Sequence, residues 1–302
     1  MQKNEYIEEI LRLKKEKNAV IIAHLYQWPE IQDIADFVGD SLDLSRKARD
    51  TKAETIVFCG VWFMAETAKI LSPKKTVLLP EKEAGCPMAD MITLEDVEHL
   101  RKKYPHAAVV CYVNSSAEIK AVSDICCTSS NAIKVVESLE SEEIIFIPDR
   151  NLGQYVARFF PDKKFIFFDG YCPTHNKISL VDIQRVRAVR PHAPILVHPE
   201  CIPEVIDHAD FTGSTAQIIE YAINSEQKEF IIGTESGILH RLEQLCPEKK
   251  FYTLHAAMFC PNMKKTRLKS VYEALSKMQY KIELSEQIIK QATSSLEKML
   301  AV

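Results

Sequence analysis

Glycine, long apolar runs and strong positive charge are all scarce in this chain of 302 residues. Its eight glycines form neither a Gly-x-Gly-x-x-Gly motif nor a Walker loop, which excludes a nucleotide-binding fingerprint. No stretch of about 18 apolar residues occurs, and residues 1–17 lack the apolar segment of a signal peptide, so we expect neither membrane insertion nor export. A net charge of -4 without a long basic block argues against nucleic acid as a partner.

Cysteine is the exception, because the chain carries nine of them. Without a secretory signal, cysteines favour metal binding or catalysis over disulfides, and we expect a reducing, cytoplasmic location. Three are followed by proline and are separated by steps of 86 and 88 residues: Cys86, Cys172 and Cys260. Proline lacks an N–H and has a fixed φ, so it stiffens the chain beside a metal-bound thiolate. A fourth pair, Cys246-Pro247, breaks the spacing and is interpreted as incidental.

The same two steps relate whole segments of the chain, as expected of an internal repeat. Three kinds of segment recur: an apolar run that ends in polar residues, a run that begins with Asp, and a short apolar run. They occupy residues 21–26, 109–114 and 195–200; residues 36–41, 124–129 and 210–215; and residues 56–58, 144–146 and 230–232. The repeat divides the chain into three units, each long enough to bury a core of its own.

Short β-branched runs alternate with amphipathic helical patterns in each unit, which predicts α/β domains with parallel sheets. Helices over residues 94–103 and 180–189 open the second and third units. In the first unit we expect helices over residues 5–16 and 63–71, strands over 20–23, 56–59 and 76–79, and a helical stretch over 31–47 that is broken at residues 39–41.

A fourth unit begins after Cys260 and stops early. We expect it to form a helix over residues 268–278, a strand over 280–284 and a last helix over 285–300. This tail should fold back on the first unit and close a ring of three αβα domains with pseudo-threefold symmetry. The expected domains are residues 1–84 with 266–302, residues 85–170, and residues 171–265.

Polar side chains stand where the first strand of each unit ends. The pairs are His24 with Tyr26, Tyr112 with Asn114, and His198 with Glu200. Residues two apart on a strand share a face, and ligands of parallel sheets collect at the carboxyl ends of strands, so the three ends should line one pocket. The helix starts that follow can bind phosphate or carboxylate, which predicts a small polyanionic substrate. They carry Asp40-Ser41, Thr128-Ser129 and Ser214-Thr215.

Each of these features also has a simpler interpretation. A Ser or Thr at a helix start is usually only an N-cap, and a His or Tyr at a strand end is more often part of the packing or the surface. The three periodic cysteines could form a structural zinc site, although such a site needs four protein ligands and usually closely spaced pairs. The basic pairs are interpreted as solvated, except Lys264-Lys265, which lies close to Cys260.

A set of three cysteine ligands without a fourth is typical of one kind of metal site. A 4Fe–4S cluster held by three cysteines leaves one iron without a protein ligand, and that open iron can act as a Lewis acid on a hydroxyl or carboxylate. Such a cluster suits dehydration and condensation better than electron transfer.

Nine segments spread over nearly the whole chain resemble the quinolinate synthase family of de novo NAD biosynthesis. They include Ala23-His24-Leu25-Tyr26-Gln27, Asp33-Ile34-Ala35-Asp36-Phe37-Val38-Gly39-Asp40-Ser41, Phe63-Met64-Ala65-Glu66, Cys86-Pro87-Met88-Ala89, Tyr112-Val113-Asn114-Ser115, Pro148-Asp149-Arg150-Asn151-Leu152-Gly153, His198-Pro199-Glu200-Cys201, Gly213-Ser214-Thr215 and Asn262-Met263-Lys264-Lys265. The resemblance implies three αβα domains around a 4Fe–4S cluster. It also implies a reaction in which iminoaspartate condenses with dihydroxyacetone phosphate to give quinolinate, with loss of phosphate and water.

The resemblance further implies roles for individual residues. L-Aspartate oxidase is the candidate partner that would deliver iminoaspartate. The cluster ligands would be Cys86, Cys172 and Cys260; the groups that move protons would be Tyr26, Tyr112, His198 and Glu200; and the groups that hold the carboxylates and phosphate would be His24, Ser41, Asn114, Ser129, Ser214 and Thr215.

Four residues depart from the family pattern: Leu25, Trp62, Tyr171 and Ala216. We expect Leu25 to change only the packing, and Trp62 and Tyr171 to change the wall or lid of the cavity. Two other functions stay open, namely another cluster-dependent dehydratase and a non-catalytic cluster sensor. A sensor would tolerate the substitutions Tyr26→Phe and Glu200→Gln, whereas an enzyme would not.

Overall fold

A computed structural model describes residues 1–302 as an α/β protein with three four-stranded parallel sheets. The first sheet lies within residues 1–84. Its strands are β1 (Ala19–His24), β2 (Phe37–Gly39), β3 (Thr55–Cys59) and β4 (Thr76–Leu78), in the order β2-β1-β3-β4. Its helices are α1 (Lys3–Glu16), α2 (Pro29–Ile34), α3 (Ser41–Asp50) and α4 (Trp62–Leu71).

The second sheet repeats this order within residues 85–170. Its strands are β5 (Ala108–Tyr112), β6 (Ile125–Cys127), β7 (Glu143–Ile147) and β8 (Lys164–Phe167), in the order β6-β5-β7-β8. Its helices are α5 (Leu94–Lys103), α6 (Ala117–Ala121), α7 (Ala132–Glu137) and α8 (Arg150–Ala157). A short 3-10 turn, Ala89–Met91, precedes them.

The third sheet has the same order again, within residues 171–265. Its strands are β9 (Ile195–Val197), β10 (Phe211–Thr212), β11 (Glu229–Gly233) and β12 (Lys250–Thr253), in the order β10-β9-β11-β12. Its helices are α9 (Pro173–Asn176), α10 (Leu180–Val189), α11 (Pro203–Ile206), α12 (Thr215–Asn224) and α13 (Ile238–Leu245), and the 3-10 turn Met263–Lys265 follows β12. The predicted α/β class and three-unit organisation are therefore correct, and we propose the domain boundaries given above.

The second strand of each sheet was not expected. The sequence predicted one interrupted helix over residues 31–47, but Phe37–Gly39 forms the edge strand β2 between two helices. An Asp precedes this short strand in every unit and explains why the segment lies beside the first strand. Its carboxylate accepts a hydrogen bond from a backbone N–H of that first strand. These bonds join Asp36 to the Ile21 N–H (2.8 Å), Asp124 to the Val109 N–H (2.7 Å) and Asp210 to the Ile195 N–H (2.7 Å).

The C-terminal tail forms helices α14 (Leu268–Lys277) and α15 (Glu286–Ala301). Helix α14 packs on α1 and β3 of the first unit, as expected, whereas α15 packs mainly on α6 and β6 of the second unit and also touches α4. The strand predicted over residues 280–284 is wrong. Only an antiparallel bridge forms there, from Lys281 to Leu78 at the end of β4. The tail therefore ties the first two sheets together.

The apolar core follows the same division. One continuous core joins the inner faces of the first and second sheets and includes Leu296 and Met299 of α15. A separate core lies between the first sheet and helices α1 and α14. The third sheet has its own core on each face. No helix is long and apolar enough to cross a membrane.

Candidate active site

A cavity of about 140 Å³ lies where the ends of the first strands of the three sheets come together. The strand ends contribute polar side chains from all three units, as the spacing predicted. The predicted residues that line the cavity are His24, Tyr26, Ser41, Cys86, Tyr112, Asn114, Ser129, Cys172, His198, Glu200, Thr215 and Cys260. Ser214 alone among the predicted residues is absent from the lining.

A chain of hydrogen bonds links Tyr26 to Glu200 across the cavity. The Tyr26 hydroxyl lies 2.7 Å from the Thr234 hydroxyl, which lies 2.9 Å from His175 Nε2. On the other side of the ring, His175 Nδ1 is 2.7 Å from Glu200 Oε2. Burial, and next the charge of Glu200, raise the pKa of Tyr26 well above its usual value, so its phenol stays protonated. The arrangement joins a proton donor to a carboxylate through two intermediate groups.

The carboxylate of Glu200 stays ionised and can bind a ligand. Burial alone would raise its pKa, but His175, and next His198, outweigh burial and lower the pKa of Glu200 below its usual range. Its second oxygen, Oε1, is buried and has no hydrogen-bond partner, and neither has Oδ1 of Asn114. Buried polar atoms are normally paired, so these two atoms mark the place where a bound molecule completes the site.

Burial lowers the pKa of two histidines of the cavity. Burial, followed by the charges of His198 and Lys264, lowers the pKa of His24 to about 3. Burial also lowers the pKa of His198. His24 Nδ1 accepts the Tyr26 N–H at 3.1 Å, so we assign the His24 ring proton to Nε2, where it can be donated. His198 Nε2 lies 3.2 Å from the Ser129 hydroxyl.

The three periodic cysteines reach the cavity from equivalent loops, each after the last strand of its sheet. None of them forms a disulfide. Burial raises the pKa of each thiol, that of Cys86 to about 12, so these groups are not nucleophilic thiolates and lose their protons only to a metal.

Comparison with known proteins identifies the family. A family model described as quinolinate synthetase A protein matches residues 8–301. The chain is 56% identical to a quinolinate synthase of Caldicellulosiruptor bescii over 292 residues, which is 97% of this chain and 96% of that protein. It is 54% identical to a quinolinate synthase of Alkaliphilus metalliredigens over 302 residues and the full length of both chains, and 56% identical to one of Clostridium kluyveri over 98% of each. The chain belongs to the quinolinate synthase family.

Two buried carboxylates hold two of the cysteine loops in place. Neither was predicted from the sequence as a site residue. Asp149 Oδ2 accepts the Cys172 N–H at 3.1 Å, and Glu235 Oε1 accepts the Cys260 N–H at 3.2 Å. Asp149 and Glu235 stand 86 residues apart, so the repeat spacing could have revealed them. His175 was also missed, although it follows Cys172 by only three residues.

The residues at the start of the repeated helices act first as caps. The Asp40 carboxylate accepts the N–H groups of Leu42 and Asp43, both at 3.0 Å. Ser214 caps α12 by accepting the Gln217 N–H at 3.2 Å. The Ser130 hydroxyl donates to Asp40 and lies 2.8 Å from the Ser214 hydroxyl. The three units thus meet through one residue each, and Ser214 lies behind the cavity wall.

The departures from the family pattern lie outside the cavity. Leu25 is buried in the main apolar core. Trp62 donates its indole N–H to Glu66 Oε1 at 3.0 Å, and the Tyr171 ring packs against the guanidinium of Arg150. Neither side chain lines the cavity. The two side chains are therefore not part of the cavity wall, and their expected effect on a lid stays a prediction.

Lys264 connects the loop after β1 with the loop that carries Cys260. Its buried ammonium lies 3.2 Å from the Glu235 carboxylate and donates to the carbonyl of Tyr26. Gly237 allows this approach, because a Cβ atom there would lie 2.7 Å from both the Leu25 carbonyl oxygen and Lys264 Nζ. One buried ion pair thus fixes both a candidate proton donor and a candidate cluster ligand.

We expect Lys264→Met to lower the free energy of unfolding by about 3–5 kcal/mol, because Glu235 is left as an uncompensated buried charge. Lys265→Met is the matched control, since its exposed ammonium donates only to the Glu83 carbonyl, and a change within about 0.5 kcal/mol is expected. Urea unfolding under anaerobic conditions measures both. The double variant Lys264→Met with Glu235→Leu should recover much of the loss. Equal losses in the two single variants would contradict this role of Lys264.

Proposed function

We propose that the chain forms quinolinate from iminoaspartate and dihydroxyacetone phosphate, with release of phosphate and water. One observation carries this proposal, namely that Cys86, Cys172 and Cys260 converge on a cavity that also holds Tyr26 and Glu200. The cavity therefore offers ligands for a cluster beside groups that accept and donate protons. The family to which the chain belongs supplies the choice of substrates.

Cys86, Cys172 and Cys260 would hold a 4Fe–4S cluster with one iron left open. When bound, such a cluster supplies a Lewis acid. The donor set fits this group because all three thiols line one cavity, and each comes from the loop that follows the last strand of a different sheet.

The substrate carboxylates and phosphate would be held by hydroxyls and amides around the cavity. Ser41 stands at the start of α3 and Thr215 at the start of α12, where backbone N–H groups and the helix dipole favour anions. His24 offers its Nε2 proton, Ser129 a hydroxyl and Asn114 its side-chain amide. Ser214 would contribute by capping α12, which positions Thr215.

Condensation, isomerisation and dehydration all need protons to be moved. We assign to Glu200 the removal of a proton from carbon next to an imine or carbonyl, because its carboxylate lines the cavity and its Oε1 is buried and unpaired. Tyr26 is suited to donate a proton to a departing oxygen, and the link through Thr234 and His175 can restore that proton from Glu200. We assign Tyr112 and His198 to the remaining proton transfers.

Iminoaspartate has to be supplied by an enzyme that oxidises aspartate, and we propose L-aspartate oxidase as that partner. We also propose a cytoplasmic location, because a reducing compartment keeps the cysteine ligands available to iron.

The test uses wild-type protein purified without oxygen. Dihydroxyacetone phosphate and freshly generated iminoaspartate are added, and quinolinate and free phosphate are measured together. We expect equal amounts of both products and neither product when one substrate is left out. A protein that carries a full cluster but makes no quinolinate would contradict the proposal and favour a dehydratase with another substrate.

A further inference from the structure

Three metal-binding side chains meet at one side of the cavity, and only one of them belongs to the set of periodic cysteines. Cys172 Sγ, His175 Nδ1 and a Glu200 carboxylate oxygen lie within 4.8 Å of one another. His175 Nδ1 is 3.2 Å from the sulfur and 2.7 Å from Glu200 Oε2. We propose that these three groups form a second metal site, which binds one Zn²⁺ in the chain that has no cluster.

An independent observation also points to a cation. Glu200 is only 3% exposed, yet its Oε1 has no hydrogen-bond partner. An unpaired carboxylate oxygen in such a place is unfavourable unless a cation or donor approaches it. A metal ion bound by Cys172, His175 and both carboxylate oxygens of Glu200 would satisfy it.

The ring of His175 is already oriented as a metal ligand. Its other nitrogen, Nε2, is held at 2.9 Å by the Thr234 hydroxyl, and metal-binding histidines usually have such an outer partner. Nδ1 therefore points at the cysteine and the carboxylate. With the ion on Nδ1, the neutral ring would carry its proton on Nε2 and donate it to the Thr234 hydroxyl, and the Cys172 thiol would release its proton to solvent. The distance between Nδ1 and the Glu200 oxygen would widen to admit the ion.

The donor set selects the kind of metal. One sulfur, one imidazole nitrogen and one carboxylate oxygen suit Zn²⁺, whereas Mg²⁺ and Ca²⁺ prefer oxygen ligands alone. Fe²⁺ binds such a set more weakly than Zn²⁺ does. Three protein ligands leave the fourth tetrahedral position to water.

Zinc at this site would use two residues that the proposed function also needs. The consequence for cluster assembly therefore rests on that proposed function. Cys172 cannot bind zinc and a cluster iron in the same way at once, and Glu200 would no longer be free to accept a proton. We therefore expect Zn²⁺ added to the cluster-free chain to slow the later assembly of the cluster.

The test titrates the full-length, cluster-free chain with Zn²⁺ under anaerobic conditions, and with Co²⁺ as a spectroscopic probe. We expect one ion per chain and, for Co²⁺, a sulfur-to-metal charge-transfer band. His175→Asn and Glu200→Gln should each weaken binding by more than the roughly 10–100-fold typical of an outer-shell change, and Thr234→Val by an amount within that range. Circular dichroism checks the folding of each variant, and Glu200→Gln suffices if His175→Asn does not fold.

Cys260→Ser is the matched control, because it removes a proposed cluster ligand and leaves the zinc ligands intact. We expect it to bind Zn²⁺ as wild type does while failing to hold a cluster. Binding that is lost equally in Cys260→Ser would place the ion among the periodic cysteines and overturn the inference, and so would the absence of stoichiometric binding. Neither result bears on quinolinate formation, because the titration involves no turnover.

Discussion

Replacing Glu200 by glutamine should lower kcat by roughly a hundredfold or more, because the variant loses the carboxylate that we propose accepts protons in the cavity. Glutamine keeps the shape of the side chain, so the cavity and the three cysteine loops should persist. The iron content and visible spectrum should therefore match those of wild type. The defect should appear in the rate of quinolinate formation and not in the amount of bound cluster.

Glu204→Gln provides the control for this experiment. Glu204 is an exposed glutamate on helix α11, four residues from Glu200, and it does not line the cavity. Its replacement should leave turnover unchanged. Near wild-type turnover in Glu200→Gln would remove Glu200 from the chemistry, and a protein that binds the cluster without any turnover in either form would fit a sensor.

The pKa of Glu200 also predicts the response of activity to pH. His175 and His198 lower this pKa below its usual range, despite burial, so Glu200 stays ionised as the pH falls through the range in which an ordinary glutamate takes up a proton. Loss of activity through protonation of Glu200 should begin only below that range.

The repeat explains why so much of the fold could be predicted from the sequence. Residues related by steps of 86 and 88 must occupy equivalent places, so one strand–helix pattern could be read three times. The missed strands β2, β6 and β10 have only two or three residues each and lie between helical patterns. Periodicity cannot distinguish such short edge strands from a helix. The docking of α15 on the second sheet was missed because a helix pattern does not specify its partner.

Some residues of the candidate site could also be predicted from the sequence, and others could not. The strand-end pairs such as His24 with Tyr26 could be predicted, because the carboxyl ends of parallel strands face one pocket. Thr234 and His175 could not, since their importance lies in three-dimensional contacts, with Tyr26 for Thr234 and with Glu200 for His175, that spacing does not reveal. Ser214 was assigned to the substrate because of its place at a helix start. The structure shows that it caps its own helix, and its contact with substrate stays a prediction.

Cys172→Ala should abolish the cluster and quinolinate formation together. The remaining two thiols, Cys86 and Cys260, cannot replace the lost ligand, because they come from the loops that follow the other two sheets. The off-period pair Cys246-Pro247 offers a close control, since Cys246 is buried in the core of the third unit, away from the cavity.

Iron and sulfide analysis of three anaerobically purified proteins, with visible spectra, tests the central claim most directly. These are wild type, Cys172→Ala and Cys246→Ala. We predict about four irons per chain in wild type and in Cys246→Ala, and none held as a cluster in Cys172→Ala. A cluster that persists in Cys172→Ala, or no cluster in any of the three proteins, would contradict the assignment of the periodic cysteines.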